Sequence, residues 1–210
     1  MLEAAGWQVI IPQKPLCCGR PLYDWGMLET AQKWLRQVID TIGPDIESGT
    51  PMVGLEPACV ATFRDELPDL FPRDRTAKKL KENAFLFSEF LDGHCGDLKL
   101  PQVKRKALTQ VHCHHYAVLD VEAEKRVMGR LGLDYEVLSS GCCGMAGSFG
   151  FESGKYDVSM KAGERVLLPR VRAADRDCLV LADGFSCREQ IEQGAGRKTH
   201  HLAEIIAKNM

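Results

Sequence analysis

The chain has 210 residues, of which 45% are hydrophobic and 27% are charged, and its net charge is −2. This balance is ordinary for a globular protein and allows one domain or two small ones. The basic residues form no stripe with interleaved aromatic residues, which argues against a nucleic acid partner. No apolar run approaches the roughly 18 residues that span a bilayer, and the start lacks the pattern of a signal peptide. We therefore expect a cytoplasmic protein, with peripheral membrane association left open.

In chain order, the first half is predicted to contain the end of a helix, a strand, a long amphipathic helix and a second strand, at residues 1–6, 7–11, 27–42 and 51–55. The tripeptide Cys17-Cys18-Gly19 follows the first of these strands, and Cys59 follows the second. Apolar residues at helical spacing support the long helix, and short apolar runs support the strands. The pattern places both cysteine groups just beyond strand ends.

The middle of the chain is predicted to be helical and then irregular. Residues 71–83 are charged, and a helix is expected to continue through Ala84 to Leu91 before a loop over residues 92–100. We place a domain boundary near Pro101, which gives domains of residues 1–100 and 101–210.

The second half is predicted to alternate strands and helices. Strands are expected at residues 107–111, 135–138 and 178–182, and helices at residues 119–131, 155–173 and 201–208. Cys113, Cys142-Cys143-Gly144 and Cys187 follow the three strands in that order. Because the carboxyl ends of parallel strands meet at one edge of a sheet, these cysteines are expected to lie close together.

The two halves carry the same features in the same order. A Cys-Cys-Gly tripeptide, a helix, a strand and a further cysteine recur at nearly equal intervals, which indicates duplication. The fold class is therefore predicted as α/β, with two tandem pseudo-repeats, each a parallel sheet flanked by helices with cysteines at the carboxyl ends of strands. The first repeat lacks its opening strand and helix, so it is truncated at its N-terminus. Either the chain is a fragment of a longer polypeptide, which we favour, or the first repeat has lost its start.

Nine cysteines are the unusual feature of the composition, and they favour metal or redox chemistry over disulfides in a cytosolic protein. The second repeat supplies four thiols, which is enough for a 4Fe-4S cluster. These predicted ligands are Cys113, Cys142, Cys143 and Cys187. The first repeat offers only an incomplete set, which is Cys17, Cys18 and Cys59. That site needs an upstream ligand or the Glu56 carboxylate, or it holds no metal.

The combination of Cys113, Cys142-Cys143-Gly144 and Cys187 resembles the cysteine-rich CCG domain found in heterodisulfide reductase. Relatives of that domain include iron–sulfur subunits of glycolate and lactate oxidases and the C-terminal iron–sulfur parts of FAD-linked D-lactate and glycolate-type dehydrogenases. Residues 56–59 and 183–187 look most similar to the flavin-linked branch. The resemblance covers nearly the whole chain as two tandem copies, of which the first is incomplete.

The resemblance implies an iron–sulfur electron-transfer module that serves a flavin-containing dehydrogenase domain or subunit and an electron acceptor. FAD would lie on that other domain or partner, because no Gly-x-Gly-x-x-Gly motif follows a strand here. The family's fullest pattern ends in Cys-x-x-Cys, but Glu56 and Gly184 replace the first of these cysteines. A conventional four-cysteine cluster is therefore expected, and no catalytic residue is assigned.

Two other functions stay open at this point. The neighbours His112, His114 and His115 of Cys113 suit zinc, which would make the chain a zinc-stabilised interaction domain. Strand alternation would, however, place His112 and His114 on the face opposite Cys113. Thiol–disulfide exchange at Cys142 and Cys143 is the third hypothesis. The remaining cysteines and histidines are predicted to have no ligand role: Cys95 as an exposed loop thiol, Cys178 as a core residue, and His200 and His201 as capping or packing residues.

Overall fold

The computed structural model describes residues 1–210. Its α-helices are Arg20–Asp24 (α1), Leu28–Glu47 (α2), Pro57–Arg64 (α3), Glu66–Leu70 (α4), Arg75–Asn83 (α5), Phe87–His94 (α6), Cys113–Val118 (α7), Val121–Arg130 (α8), Tyr156–Gly163 (α9), Leu167–Ala173 (α10), Phe185–Ala195 (α11) and Leu202–Asn209 (α12). Its strands are Met52–Gly54 (β1), Ala84–Leu86 (β2), Lys106–Thr109 (β3), Asp134–Val137 (β4) and Leu179–Leu181 (β5). Single turns of 3-10 helix cover Glu3–Ala5 and Phe149–Phe151. No helix combines the length and the apolar character needed to cross a bilayer.

The strands form two parallel sheets, which confirms the predicted α/β class. The first sheet contains only β1 and β2, with Val53 opposite Phe85. The second has the order β4-β3-β5, so Leu108 on the central strand lies opposite Glu136 on one side and Val180 on the other. Consecutive apolar residues make β5 fully buried, as expected for a parallel strand covered on both faces.

The hydrophobic core is continuous across the middle of the chain. Its largest cluster joins Phe90 and Leu91 of α6 to Val127 and Met128 of α8, and it reaches Leu202 of α12. There is one further cluster in each half. The buried residues of the first-half cluster include one residue from the second half, Leu119, and those of the other cluster all belong to the second half. The repeats therefore share a core through α6 and α8, and the boundary near residue 101 stays a prediction.

The predicted strand at residues 7–11 is wrong. This segment has no regular structure, and Ile10 and Ile11 are 57% and 80% exposed. A strand requires a neighbour to receive its backbone hydrogen bonds, and residues 8–11 make none with other backbone groups. The sequence has the composition of a strand, but the fold provides no strand beside it.

Two predicted helices are also corrected. Ala84–Leu86, predicted as helix, is strand β2 and pairs with β1, because tertiary pairing overrides the local preference of three residues. The helix predicted over residues 155–173 is broken into α9 and α10. Pro169 lies in the first turn of α10, where its missing N–H is tolerated, but its ring would clash with an unbroken helix.

Cys95 is not the exposed loop thiol that the sequence predicts. It ends α6 as the C-cap residue, is only 4% exposed and packs in the cluster shared by the two repeats. Cys178, which is predicted to be a core residue, is half-buried and packs against the core of the second repeat. It precedes β5, so it lies at the opposite end of that strand from Cys187.

Candidate metal centre

Three loops of the second repeat converge at one edge of its sheet. Cys113 is the first residue of α7 and follows β3. Cys142 and Cys143 follow β4, and Cys187 lies in the first turn of α11, after β5. Since β4, β3 and β5 are parallel neighbours, their carboxyl ends bring these four residues together.

The four thiols lie close enough to shift one another's pKa, Cys142 acting on Cys113 and Cys143, and Cys143 responding to Cys187 as well. Hydrogen bonding from Cys113, and then from Cys143, lowers the pKa of Cys142 to about 2. The same contact with Cys142 raises the pKa of both Cys113 and Cys143. The lowered pKa favours the thiolate form of Cys142, which is the form that binds metals.

Glycine residues allow the backbone to approach these sulfurs closely. The Gly144 N–H points at Cys142 Sγ from 3.4 Å, and Gly144 has a φ of 97°. A Cβ at this position would lie 2.1 Å from the Ser159 carbonyl oxygen. At Gly184 a Cβ would lie 2.3 Å from the His112 ring, so that loop is equally restricted. Both close approaches require glycine.

The donor set fits an iron–sulfur cluster. Such clusters are held mainly by cysteine thiolates, and N–H groups directed at sulfur tune their potential. Cys143 and Cys187 are 3% and 1% exposed, whereas Cys142 is exposed and Cys113 is half-buried. The site is therefore closed on the core side and open where Cys142 reaches the surface.

The histidines next to Cys113 lie differently from the prediction. Strand β3 ends at Thr109 and His112 is the N-cap residue of α7, so strand alternation does not apply. The ligand atoms of His112, Cys113 and His114 lie within 4.8 Å of one another. His112 Nδ1 accepts a hydrogen bond from the His114 N–H at 3.2 Å, and burial lowers the pKa of His112 to about 4. His112 is therefore neutral at pH 7.

A buried polar pair that the sequence does not reveal supports the start of α7. His115 and Glu124 are 1% and 3% exposed, and 3.3 Å separates Nδ1 from Oε2. Burial lowers the pKa of His115 and raises that of Glu124 well above its usual value, which favours the uncharged forms. Glu124 belongs to a charged helix and reads as a surface residue, so its sequence gives no signal of this role.

The first repeat brings together a smaller set of thiols. Cys18 Sγ and Cys59 Sγ are 2.9 Å apart, and hydrogen bonding from Cys59 lowers the pKa of Cys18 to about 7. Cys17 is exposed. No cysteine in this repeat corresponds to Cys113, because the strand that would carry it is absent.

Glu56 has a structural role that the sequence does not show. Its Oε1 accepts a hydrogen bond from the Ala58 N–H at 3.2 Å, which caps α3. Its Oε2 accepts one from the Phe185 N–H at 2.8 Å, in the first turn of α11. The carboxylate therefore connects the cysteine-bearing helices of the two repeats. With both oxygens engaged, it is not directed at a metal in the first repeat.

His200 and His201 have the local roles predicted for them. His201 is the N-cap residue of α12, and its Nδ1 accepts a hydrogen bond from the Ala203 N–H at 2.9 Å. Its Nε2 lies 2.8 Å from the Leu55 carbonyl oxygen, a second connection between the repeats. His200 forms a β-bridge with Leu181 at the edge of the second sheet.

A sequence profile of the CCG family, described as a cysteine-rich domain, matches residues 1–64 and 109–192, which is more than half of the chain. The chain belongs to this family. Each matched segment contains one Cys-Cys-Gly tripeptide and the later cysteine that accompanies it. The resemblance inferred from the cysteine pattern is confirmed.

Three curated relatives place the family member in context. The chain is 27% identical to a subunit of the anaerobic glycerol-3-phosphate dehydrogenase of Escherichia coli (strain K12), in an alignment covering 99% of this chain and 53% of the relative. It is 26% identical to D-2-hydroxyglutarate dehydrogenase of Pseudomonas putida (strain KT2440), over 90% of this chain and 18% of the relative. It is 27% identical to lactate utilization protein A of Bacillus subtilis (strain 168), over 98% of this chain and 89% of the relative.

The chain thus spans about half the length of the first relative and about a fifth of the second. These relatives are a dehydrogenase subunit, a dehydrogenase and a lactate utilization protein. Their names support an oxidoreductase module for this chain.

Proposed function

We propose that this chain is an iron–sulfur electron-transfer module of an oxidoreductase. Cys113, Cys142, Cys143 and Cys187 would hold a 4Fe-4S cluster at the edge of the second sheet. The observation that carries the proposal is that these four thiols follow three neighbouring parallel strands and meet at the same edge of the sheet. When bound, the cluster would supply one-electron transfer.

The chain's own residues would hold the cluster and control its surroundings. Cys143 and Cys187 are buried and exclude water from the core side. The Gly144 N–H is directed at a sulfur and would stabilise its negative charge. Cys142, which is exposed, marks the surface where electrons would enter or leave.

We further propose that the electrons come from a flavin-linked 2-hydroxy-acid dehydrogenase domain or subunit. The resemblance of residues 56–59 and 183–187 to the flavin-linked branch supports this source, as does a named relative that is a D-2-hydroxyglutarate dehydrogenase. No motif for a flavin or a nicotinamide occurs in these residues, so the substrate would be oxidised on that other domain. A cytoplasmic location and an electron acceptor as a second partner belong to the same proposal.

The test is reconstitution with iron and sulfide in the absence of oxygen. The expected product is brown, binds about four iron atoms per chain as a four-cysteine cluster requires, and loses its visible absorbance when dithionite is added. Cys187→Ser removes a buried ligand and should eliminate the iron of the second repeat.

Cys178→Ser is the matched control, because Cys178 lies at the other end of β5 and its thiol donates only to the Leu179 carbonyl oxygen. This variant should bind as much iron as the unchanged chain. If Cys187→Ser retains full iron, the assigned ligand set is wrong.

A zinc site is the second candidate, and the closeness of His112, Cys113 and His114 favours it. A neutral imidazole is the form that binds zinc. Zinc would give a colourless protein without a reducible centre, so metal analysis of protein purified without oxygen distinguishes the two candidates. Stoichiometric zinc that His114→Ala removes would support a structural domain in place of an electron carrier.

A further inference from the structure

Two buried carboxyl groups of the second repeat have no part in the proposed electron transfer. Glu124 of α8 and Asp183, which follows β5, are 3% and 4% exposed. In each group one oxygen, Glu124 Oε2 or Asp183 Oδ2, is enclosed and lacks a hydrogen-bond partner of good geometry. Ionised carboxylates are rarely buried in this way, because a charge without a partner in the core is costly.

The ring of His115 gives the first reason to place a proton on Glu124. Its Nε2 lies 3.3 Å from the Asp120 carbonyl oxygen, which can only accept, so Nε2 carries the hydrogen of a neutral ring. Burial lowers the pKa of His115 and favours this neutral form. Nδ1 is then an acceptor, and it lies 3.3 Å from Glu124 Oε2. Two acceptors face each other there unless the Glu124 carboxyl donates an O–H to Nδ1.

The arginines near α8 are bound to other carboxylates. On α6, the helix that packs against α8, Glu89 accepts two hydrogen bonds from Arg64, at 2.8 and 2.7 Å. Asp92 of the same helix pairs with Arg126 at 2.8 Å, and the Arg126 side chain is 53% exposed. Neither guanidinium group is therefore available to balance a charge on Glu124.

Asp183 opposes a negative charge on Glu124. Its Oδ1 accepts a hydrogen bond from the Leu202 N–H at 2.8 Å and lies 3.5 Å from His201 Nδ1. That nitrogen accepts a hydrogen bond from the Ala203 N–H, so it carries no proton for Asp183. Burial first, and then the charge of Asp183, raise the pKa of Glu124 well above its ordinary value. Both causes favour the protonated carboxyl.

We propose that the folded chain binds one proton at Glu124, shared with His115 Nδ1, and that unfolding releases this proton. Because His115 lies in the same helix as Cys113, and Asp183 precedes Cys187, the proton stabilises the packing behind both of these residues. The proposal goes beyond electron transfer and depends on no metal. Its test therefore uses metal-free, reduced protein, so that failure of the cluster assignment leaves the result readable.

A proton bound by the folded state alone makes stability depend on pH. The ordinary pKa of a Glu carboxyl is 4.5, and the folded value at Glu124 is higher. The stabilising contribution is therefore fully present below pH 4.5 and is lost as the pH rises through the folded value. Above pH 4.5 the linkage increases the unfolding equilibrium constant by up to about tenfold per pH unit.

The test compares Glu124→Gln with the unchanged chain by urea denaturation between pH 5 and pH 6.5. The amide has the shape of the protonated carboxyl and cannot ionise, so the variant should lack this contribution. The unfolding constant of the unchanged chain, divided by that of the variant, should increase by at least about tenfold across this range. Glu122→Gln is the matched control, because its side chain lies on the same helix and is 64% exposed. Its ratio should stay constant.

A constant ratio for Glu124→Gln over this range would overturn the proposal, because Glu124 would then be ionised in the folded chain. A second measurement needs no variant, in case Glu124→Gln does not fold. The NMR chemical shift of the Glu124 carboxyl carbon should be that of a protonated acid at pH 6.5. The chemical shift of a carboxylate at this pH would assign the proton to His115 or to neither group, and would equally overturn the proposal.

Discussion

The two repeats of this chain contain the same cysteine loop, but only the second has a complete sheet beneath it. In the second repeat a central strand, β3, lies between β4 and β5 and delivers Cys113 to the other three thiols. In the first repeat the corresponding strand is absent and the thiols beside β1 are Cys17, Cys18 and Cys59. The comparison teaches that the central strand supplies the fourth donor, because Cys113 follows β3 and the first repeat of this chain has neither.

The repeats also differ in how tightly the Cys-Cys-Gly loop packs. Gly144 has no room for a Cβ, because its position would be 2.1 Å from the Ser159 carbonyl oxygen. At Gly19 the nearest atom is the Ala31 carbonyl oxygen, at 3.4 Å. Both glycines have positive φ, at 97° and 74°. The loop of the second repeat is thus held more closely than that of the first.

The largest effect on stability is expected from Gly144→Ala, compared with Gly19→Ala. Left-handed backbone costs both variants roughly 1–2 kcal/mol, and the clash with Ser159 should raise the loss for Gly144→Ala to about 3 kcal/mol or more. Urea denaturation of the two variants measures both losses. Equal losses would show that the two loops are held equally closely.

Glu56 should give the next largest effect, because it connects the repeats that the comparison separates. Glu56→Ala removes the cap of α3 and the acceptor for the Phe185 N–H of α11. Loss of a helix cap typically costs about 1 kcal/mol, so the double role predicts a loss of about 1–2 kcal/mol. Amide exchange at Ala58 and Phe185 reports on the two helices separately.

Glu56→Gln is the matched variant for this position. It keeps one carbonyl oxygen as an acceptor and has nearly the same shape, so it should lose less than Glu56→Ala. Faster exchange at Ala58 alone in Glu56→Ala would contradict the role of Glu56 as a connection between the repeats.

The sequence predicts the convergence of the cysteines because their positions follow a simple rule. Cys113, Cys142 and Cys187 each follow an apolar run, and parallel strands end at one edge. The pattern also predicts the fold class and the tandem order. These conclusions need only the parallel direction of the strands, which alternating strands and helices imply; the order β4-β3-β5 comes from the structure.

The sequence cannot predict features that depend on contacts between distant segments. Ala84–Leu86 is a strand only because β1 lies beside it, and residues 7–11 fail to form one because β1 has no central neighbour there. Cys95 lies beside Gly96 in a short hydrophilic stretch, and its burial depends on packing against the second repeat. Glu56 likewise reads as a ligand until the position of α11 is known.

The smallest effect concerns a part of the first repeat that the second lacks. Helices α4 and α5 lie between α3 and β2, whereas only residues 196–199 lie between α11 and His200. Asp74 caps α5 by accepting a hydrogen bond from the Ala77 N–H at 2.9 Å. Asp74→Ala should therefore reduce the free energy of unfolding by about 1 kcal/mol at pH 7, as measured by urea denaturation.

The pH dependence of this loss identifies its cause. The Ala77 N–H, with a smaller contribution from Arg36, lowers the pKa of Asp74 below its ordinary value of 3.8. A lowered carboxyl pKa stabilises the folded state above pH 3.8, and this contribution disappears as the pH falls through the folded value. The difference between the unchanged chain and Asp74→Ala should therefore shrink on acidification. Asp74→Asn keeps an acceptor oxygen that does not titrate, so the difference in free energy of unfolding between Asp74→Asn and Asp74→Ala should stay constant with pH. If this difference also shrinks on acidification, the pH dependence comes from other carboxylates.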